Sequence, residues 1–384
     1  MLTLHMFLSA AAAGHRVLDP SNPLGDDFGG GSRAGFLGLV RAMGRLNKYR
    51  VTAVCTLKER KMTVDGVDYV RLDQQHKLGH ADISHAFYDG GPIIGSQSRL
   101  RIWGHHTYNP MAMKHDQPMP QAWDWADVNT APSQHALDAL RGTFAPHAPW
   151  EVVPNAVEGL DGVEWAPVEE PTVIYHTSPD RGLHLLLGDV WPQVRARVPN
   201  ARLRVVGDVD DIAGYDGPQR SVRGQRAAAL RRGVAAATAA GGVTFLGRLT
   251  RKDLLRELTE ATCFAFPCSV SAPSETWSIS CHESCEIGLP LVLAPTDALG
   301  MWAPYARLTP GPAEAHLQEF TDAVVDVLSD PTEANHLSEL GKRVRGMWSF
   351  DKSAAALDAL IEKHLPRTAA AEAKAYEELT AAAQ

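Results

Sequence analysis

Short apolar runs recur along this chain at intervals that leave room for a helix between them. In the first half they are "LTLHMFL", "VTAVC", "VDYVRL", "PIIGS", "RLRIW", "ADVNTAP" and "EVVPN", and in the second "TVIYHT", "ARLRVVGD", "GVTFLG", "CFAFPC" and "LPLVLAP". Runs this short, rich in β-branched residues, predict strands. Between them "AGFLGLVRAMGRLNK", "LHLLLGDVWPQVRARV" and "RKDLLRELTEA" carry apolar residues at helical spacing. Strands alternating with helices predict parallel sheets covered on both faces, a doubly wound α/β arrangement. The pattern runs through the chain twice.

The two runs part in "VEGLDGVEWAPVEEPT", residues 157–172, where Gly, Pro and acidic residues crowd together without apolar periodicity. A second irregular stretch, "DVDDIAGYDGPQRSVRG" at 208–224, reads as a surface loop, and the tail after Pro366 has helix formers but almost no apolar face. A chain of 384 residues exceeds what one core usually supports. The expected division is 1–165, 166–345 and a C-terminal helical segment, 346–384. Ligands of open α/β sheets settle beyond the carboxyl ends of the strands. Two such domains are expected to face each other across a cleft.

Composition changes the picture mainly by exclusion. Apolar residues at 45% and charged residues at 21% are a globular balance, and a net charge of −8 argues against gripping nucleic acid or an anionic membrane by bulk charge. Cys55, Cys263, Cys268, Cys281 and Cys285 form no Cys-x-x-Cys pair, which predicts buried reduced thiols. The opening "LTLHMFLSAAAAGHRV" lacks a basic leader and is broken by His5, His15 and Arg16, so it reads as a first strand rather than a signal peptide. A cytoplasmic location is the expectation.

Candidate chemistry centres on "SETWSISCHES", residues 274–284. A helix is predicted from Trp277 toward Gly288 and Pro290, with Glu275 in the loop or first turn and Glu283 about two turns further on. At a rise of ~1.5 Å per residue, the two carboxylates lie roughly 12 Å apart on a continuous helix, too far to act on one bond. They suit the two ends of an elongated ligand whose negative charge meets the N–H groups of 276–280. The plainer reading is a favourable first-turn Glu275 and a solvated Glu283. The run Gly29, Gly30 and Gly31 lets the backbone approach a phosphate or sugar, although it matches neither the dinucleotide nor the P-loop pattern. "RIWGHHTYNP" places His105 and His106 directly after a strand, with no further ligands spaced for a metal.

"FPCSVSAPSETWSISCHESCEIGLPLVLAP" resembles the donor-binding signature of retaining glycosyltransferases of the GT-B fold, the group-four type with seven residues between two glutamates. "GGGSRAGF", "ADVNTAPS", "VVPNAVE" and "MWSFDKSAAALDAL" resemble other landmarks of that family, the last a helical element that braces the first domain. The resemblance implies two Rossmann-like domains around a cleft, the first for the acceptor and the second for a nucleoside diphosphate sugar, with no metal and no cofactor beyond that donor substrate. It assigns Glu275 to the sugar hydroxyls, with Thr276, Trp277, Ser278 and Ile279 beside it, and Glu283 to the ribose. His106, or His105 in its place, falls near the transferred sugar, and Gly30 and Gly31 near the donor.

The family's basic pair after the first strand of the second domain is only half present. Arg181 stands where lysine is usual, and Tyr175 and His176 replace Gly-Arg, so His176 or donors in "HTS" must substitute for the second cation. The implied reaction is hexosyl transfer with retention to a carbohydrate, lipid-linked or other hydroxyl acceptor. Arg33, Arg41, Arg45, Lys48 and Arg50 could form a basic face for a peripheral membrane contact, or for a duplex or modified-base acceptor that the net charge disfavours. Trp123 and Trp125 are candidates to stack on a sugar. A sugar-nucleotide phosphorylase or epimerase and a non-catalytic sugar-nucleotide-binding module are the alternatives.

Overall fold

A computed structural model describes residues 1–9, 17–22, 31–106, 125–143, 148–215, 217–218, 221–268, 275–294 and 296–365. The chain divides into two compact units: Met1–Glu158 together with the segment from Trp348 onward, and Gly159–Met347.

The first unit holds an eight-stranded sheet in the order β3-β4-β2-β1-β5-β6-β7-β8. Its strands are β1 (Leu2–Leu8), β2 (Tyr49–Cys55), β3 (Lys61–Val64), β4 (Val67–Arg71), β5 (Ile83–Phe87), β6 (Leu100–Gly104), β7 (Val128–Ala131) and β8 (Trp150–Val152). All neighbours are parallel except β3 and β4. The predicted strand at "PIIGS" is a 3-10 turn, Gly91–Ile93, entered through Pro92. The strand that fills its place in the sheet is β5, "ISHAF", buried at every position.

The helix Gly31–Arg45 turns Phe36, Leu39, Val40 and Met43 into this core at spacings of three and four. A second helix, residues 350–365, packs beside it. The contact is close at Gly38, where a Cβ would stand 2.2 Å from the Phe350 ring. Charge pairs reinforce it: Arg45 with Asp351, and Lys48 with Asp358 and Glu362. Arg41 meets Asp65 and Glu158, and Arg33 is buried. The basic positions that suggested a membrane or nucleic-acid face are thus largely matched by acids of the same unit.

The second unit holds a fully parallel six-stranded sheet, β11-β10-β9-β12-β13-β14. Its strands are β9 (Thr172–Tyr175), β10 (Arg202–Val206), β11 (Val243–Gly247), β12 (Cys263–Phe266), β13 (Leu291–Leu293) and β14 (Arg307–Leu308). Residues 165–168 of the predicted linker lie against this unit, with the Trp165, Ala166 and Val168 N–H groups donating to Ile287, Thr259 and Glu260 carbonyls. The predicted loop at 208–224 contains a helical turn, Asp210–Ala213, and leads into a long helix, Val222–Ala240. All five cysteines are free and buried. Strand order reverses between β9 and β12, which makes their carboxyl ends the crevice where such sheets take ligands.

Candidate functional site

That crevice gathers most of the residues singled out in the second half of the chain. Arg181 follows β9 and is held in place by Gly182, whose φ of 97° is open to few side chains and whose Cβ would stand 1.9 Å from the Pro267 carbonyl oxygen after β12. The loop therefore presses on the end of β12, and the Arg181 guanidinium meets Glu275 in an ion pair. Glu275 is only 2% exposed, whereas a third of the Arg181 side chain reaches solvent. Gly182→Ala is expected to destabilise the second unit by about 2–3 kcal/mol, because backbone rather than a movable side chain blocks the methyl group. Thermal melts check it, and an unshifted melt would show that the loop relaxes freely.

Glu275 precedes the helix rather than lying in it. The helix spans Ile279–Ile287, with Ser278 as N-cap at φ 69° and its hydroxyl accepting from the Cys281 N–H. That bond leaves the Ile279 and Ser280 N–H groups at the helix mouth without partners inside the helix. Thr276, Trp277 and Ser278 are buried, and the Trp277 carbonyl accepts from Trp302 Nε1 at 2.8 Å. Gly288 caps the helix, its N–H reaching the Ser284 and Cys285 carbonyls.

Glu283 does not face solvent. It is buried in an ion pair with Arg251, and both side chains are 5% exposed. Arg251 opens the helix Arg251–Glu260, just after the N-cap Thr250. Sequence reasoning placed this residue in a helix but saw no role for it, since its partner lies 32 positions away. Arg251 thus brings a buried cation to this region from another element, paired with Glu283.

His176 sits at the end of β9 with Nε2 3.0 Å from Ser284 Oγ, while its carbonyl accepts from Ser280 Oγ at 3.0 Å. Burial, followed by the nearby Arg251 charge, pushes its pKa down to about 3, so the ring is neutral at pH 7 without a ligand. An open pocket of about 510 Å³ lies at the carboxyl ends of β10 and β11, lined by Gly207, Asp208, Val209, Val234, Phe245 and Gly247 among others.

The other predicted residues belong to the first unit. His105 is core: Nε2 lies 2.8 Å from Asn129 Oδ1, and the ring packs on Trp103 and Trp150 at 4.3 and 4.9 Å. His106 lies just beyond β6 and stacks on Phe87 at 3.9 Å. It lines a cavity of about 10 Å³ with Gly35, His85, Thr130, Asn155 and Ser353. Gly31 is exposed at the start of its helix, and Trp125 carries the Arg101 guanidinium 5.5 Å above its ring. Gly30, Thr107 and Trp123 lie outside the described residues. Among the described residues no group of three His, Cys, Asp or Glu side chains is placed to hold a metal, and no helix is long and apolar enough to cross a membrane.

Residues 171–330 match the family of glycosyl transferases group 1. No curated protein matches the chain in sequence. Among solved structures, the sucrose-phosphate synthase (tll1590) of Thermosynechococcus elongatus is similar with a TM-score of 0.70 at 15% identity, over 96% of this chain and 100% of that one. Anabaena Alr3699/HepE, in complex with UDP and glucose, gives 0.64 at 14% identity over 94% and 99%. An E. coli structure named for trehalose-6-phosphate and bound with UDP-2-fluoro glucose gives 0.64 at 11% over 93% and 98%. The chain has the GT-B fold.

Proposed function

We propose that this chain is a retaining, metal-independent glycosyltransferase that moves a hexosyl group from a nucleoside diphosphate sugar to a hydroxyl acceptor. The observation that carries the reading is the Arg181–Glu275 pair at the reversal point of the six-stranded sheet, with Glu283 on the helix that follows. The match over 171–330 and the UDP and UDP-sugar bound in proteins of the same fold support it.

Cleaving the bond between sugar and diphosphate leaves negative charge on the diphosphate and positive character on the sugar ring. A guanidinium has five N–H donors, so Arg181 can keep one on Glu275 and turn others to the diphosphate. The Ile279 and Ser280 N–H groups, at the positive end of their helix, add fixed donors for the same charge. Glu275 would accept hydrogen bonds from the sugar hydroxyls and Glu283 from the ribose, while the pocket over Gly207 and Gly247 has room for a base. His176, neutral without ligand, would act as a hydrogen-bonding group unless the diphosphate draws a proton onto it. The sugar contact of His106 and the approach of Gly30 and Gly31 to the donor rest on the family resemblance. Retention would follow a front-face route in which the departing phosphate helps to deprotonate the acceptor.

Calorimetric titration with UDP and with GDP tests the donor site. One nucleotide should bind saturably, and Arg181→Ala and Glu283→Ala should each weaken it roughly tenfold to a hundredfold, the range of a lost charge-assisted hydrogen bond. A folded protein that binds neither nucleotide would overturn the reading. Turnover of a UDP or GDP sugar only when an acceptor is added separates transfer from a phosphorylase, an epimerase or a binding module.

A further inference from the structure

We infer that Arg251 is a positioning residue of the donor site: its ion pair holds Glu283 turned so that one carboxylate oxygen stays available to a ribose hydroxyl. The inference rests on the donor-site reading above and extends it to a residue outside the segment 275–287 that carries both glutamates.

Arg251 occupies a poor place for a cation. It is the first residue of its helix, where the dipole disfavours positive charge, and its side chain is 5% exposed. Glu283 is equally enclosed. A buried ion pair is seldom the most stable filling of its volume, because desolvating two charges costs about what their attraction returns, and apolar residues of similar size often do as well or better. Stability alone therefore does not account for the pair. Its position does more, since the start of the Arg251 helix meets the middle of the helix that follows Glu275.

Arg251 uses Nη1 on Glu283 Oε1, which leaves Oε2 with both lone pairs for another donor. The neighbouring residue, Ser284, bonds His176, and Ser280 one turn earlier bonds the His176 carbonyl, so the helix face behind Glu283 is fixed to β9. Arg251 also balances the site before any ligand arrives. Arg181 neutralises Glu275 and Arg251 neutralises Glu283, so a diphosphate meets one partly exposed guanidinium rather than two bare carboxylates. A lysine in the β9 loop would add charge there but would leave Glu283 buried and unpaired.

The test measures ribose recognition. Wild type is titrated with UDP and GDP and with their 2′,3′-dideoxy forms, and the same titrations are run on R251K, R251M and R251M/E283M with thermal melts alongside. Wild type should prefer ribose over dideoxyribose by roughly tenfold or more, as expected when hydroxyls donate to a carboxylate. R251M should lose that preference while keeping its affinity for the dideoxy nucleotide. R251K should keep part of it. The double variant has no unpaired buried charge and should melt near wild type, yet show no preference beyond that of R251M, because both residues act through one contact. If R251M is too unstable to titrate, R251K carries the test. A folded R251M or R251K with undiminished ribose preference overturns the inference, as does a wild type that binds its nucleotide without preference. A wild type that binds neither nucleotide overturns the donor-site reading first and the inference with it.

Discussion

Acidification from pH 7 to pH 5 is expected to destabilise the first unit by on the order of 5 kcal/mol, well before its carboxylates protonate. Three histidines, His85 within β5 and His105 and His106 just beyond β6, are held neutral by burial. His85 is pushed down to about 4, His105 to about 3 despite its bond to Asn129, and His106 to about 3 with its two neighbours adding repulsion. In the unfolded chain each takes up a proton near pH 6.5. Their folded pKa values are depressed, so the unfolded state binds more protons from about pH 6.5 down to about pH 3, and stability falls with pH across that window. At pH 5 each histidine contributes a loss of about 2 kcal/mol, comparable in sum to the whole stability of many domains. Asp82 and Glu151, whose pKa values are also lowered, add their own loss only at more acid pH. Denaturant melts at pH 7, 6 and 5, followed by the fluorescence of Trp103 against His105, provide the measurement. Equal midpoints at pH 7 and pH 5 would refute the assignment of neutral buried rings. In the second unit burial depresses His176, to about 3, and lowers His184, so with fewer deeply depressed rings that unit should be the less acid-sensitive of the two.

The same histidines show where sequence pattern stops carrying information. β1, β2 and β6 are legible because an apolar run buried on both faces looks the same in any context. β5 is not, since "ISHAF" buries Ser84 and His85 among its apolar residues. Ser84 is accommodated by the hydroxyls of Ser96 and Ser98, partners that no local pattern announces. The apolar run that does stand out nearby, "PIIGS", begins at a proline that suits a turn. The helix Val222–Ala240 escapes for the opposite reason: alanine and arginine give it helix propensity without an apolar stripe.

At the site, residue types and their strand ends could be read, but the pairings could not. Arg181 and Glu275 are 94 positions apart, and Lys48 and Asp358 are 310. Charges that look free in one dimension are matched in three. The solvated Glu283 of the plainer sequence reading dissolves on that account.

Glu275→Gln is expected to cut sugar transfer by about 10²–10³, the range for removing one preorganised electrostatic contact in a transition state, while nucleotide affinity holds or rises. Glutamine keeps the shape of a side chain that is 2% exposed, and Arg181, a third exposed, remains hydrated when its partner loses charge. The fold should therefore survive with little change in melting temperature. What is lost is a negative charge beside a sugar ring that becomes positive as its bond to the diphosphate breaks. What is gained is a guanidinium no longer shared with a carboxylate and better able to serve the diphosphate. Arg181→Ala should do the reverse, weakening nucleotide binding and destabilising the unit by leaving Glu275 buried without its cation. Single-turnover transfer and nucleotide titration on the two variants separate the effects. Transfer by Glu275→Gln at the wild-type rate would remove this carboxylate from the chemistry. A parallel fall in nucleotide affinity would mean that Glu275 serves chiefly to hold Arg181 in place.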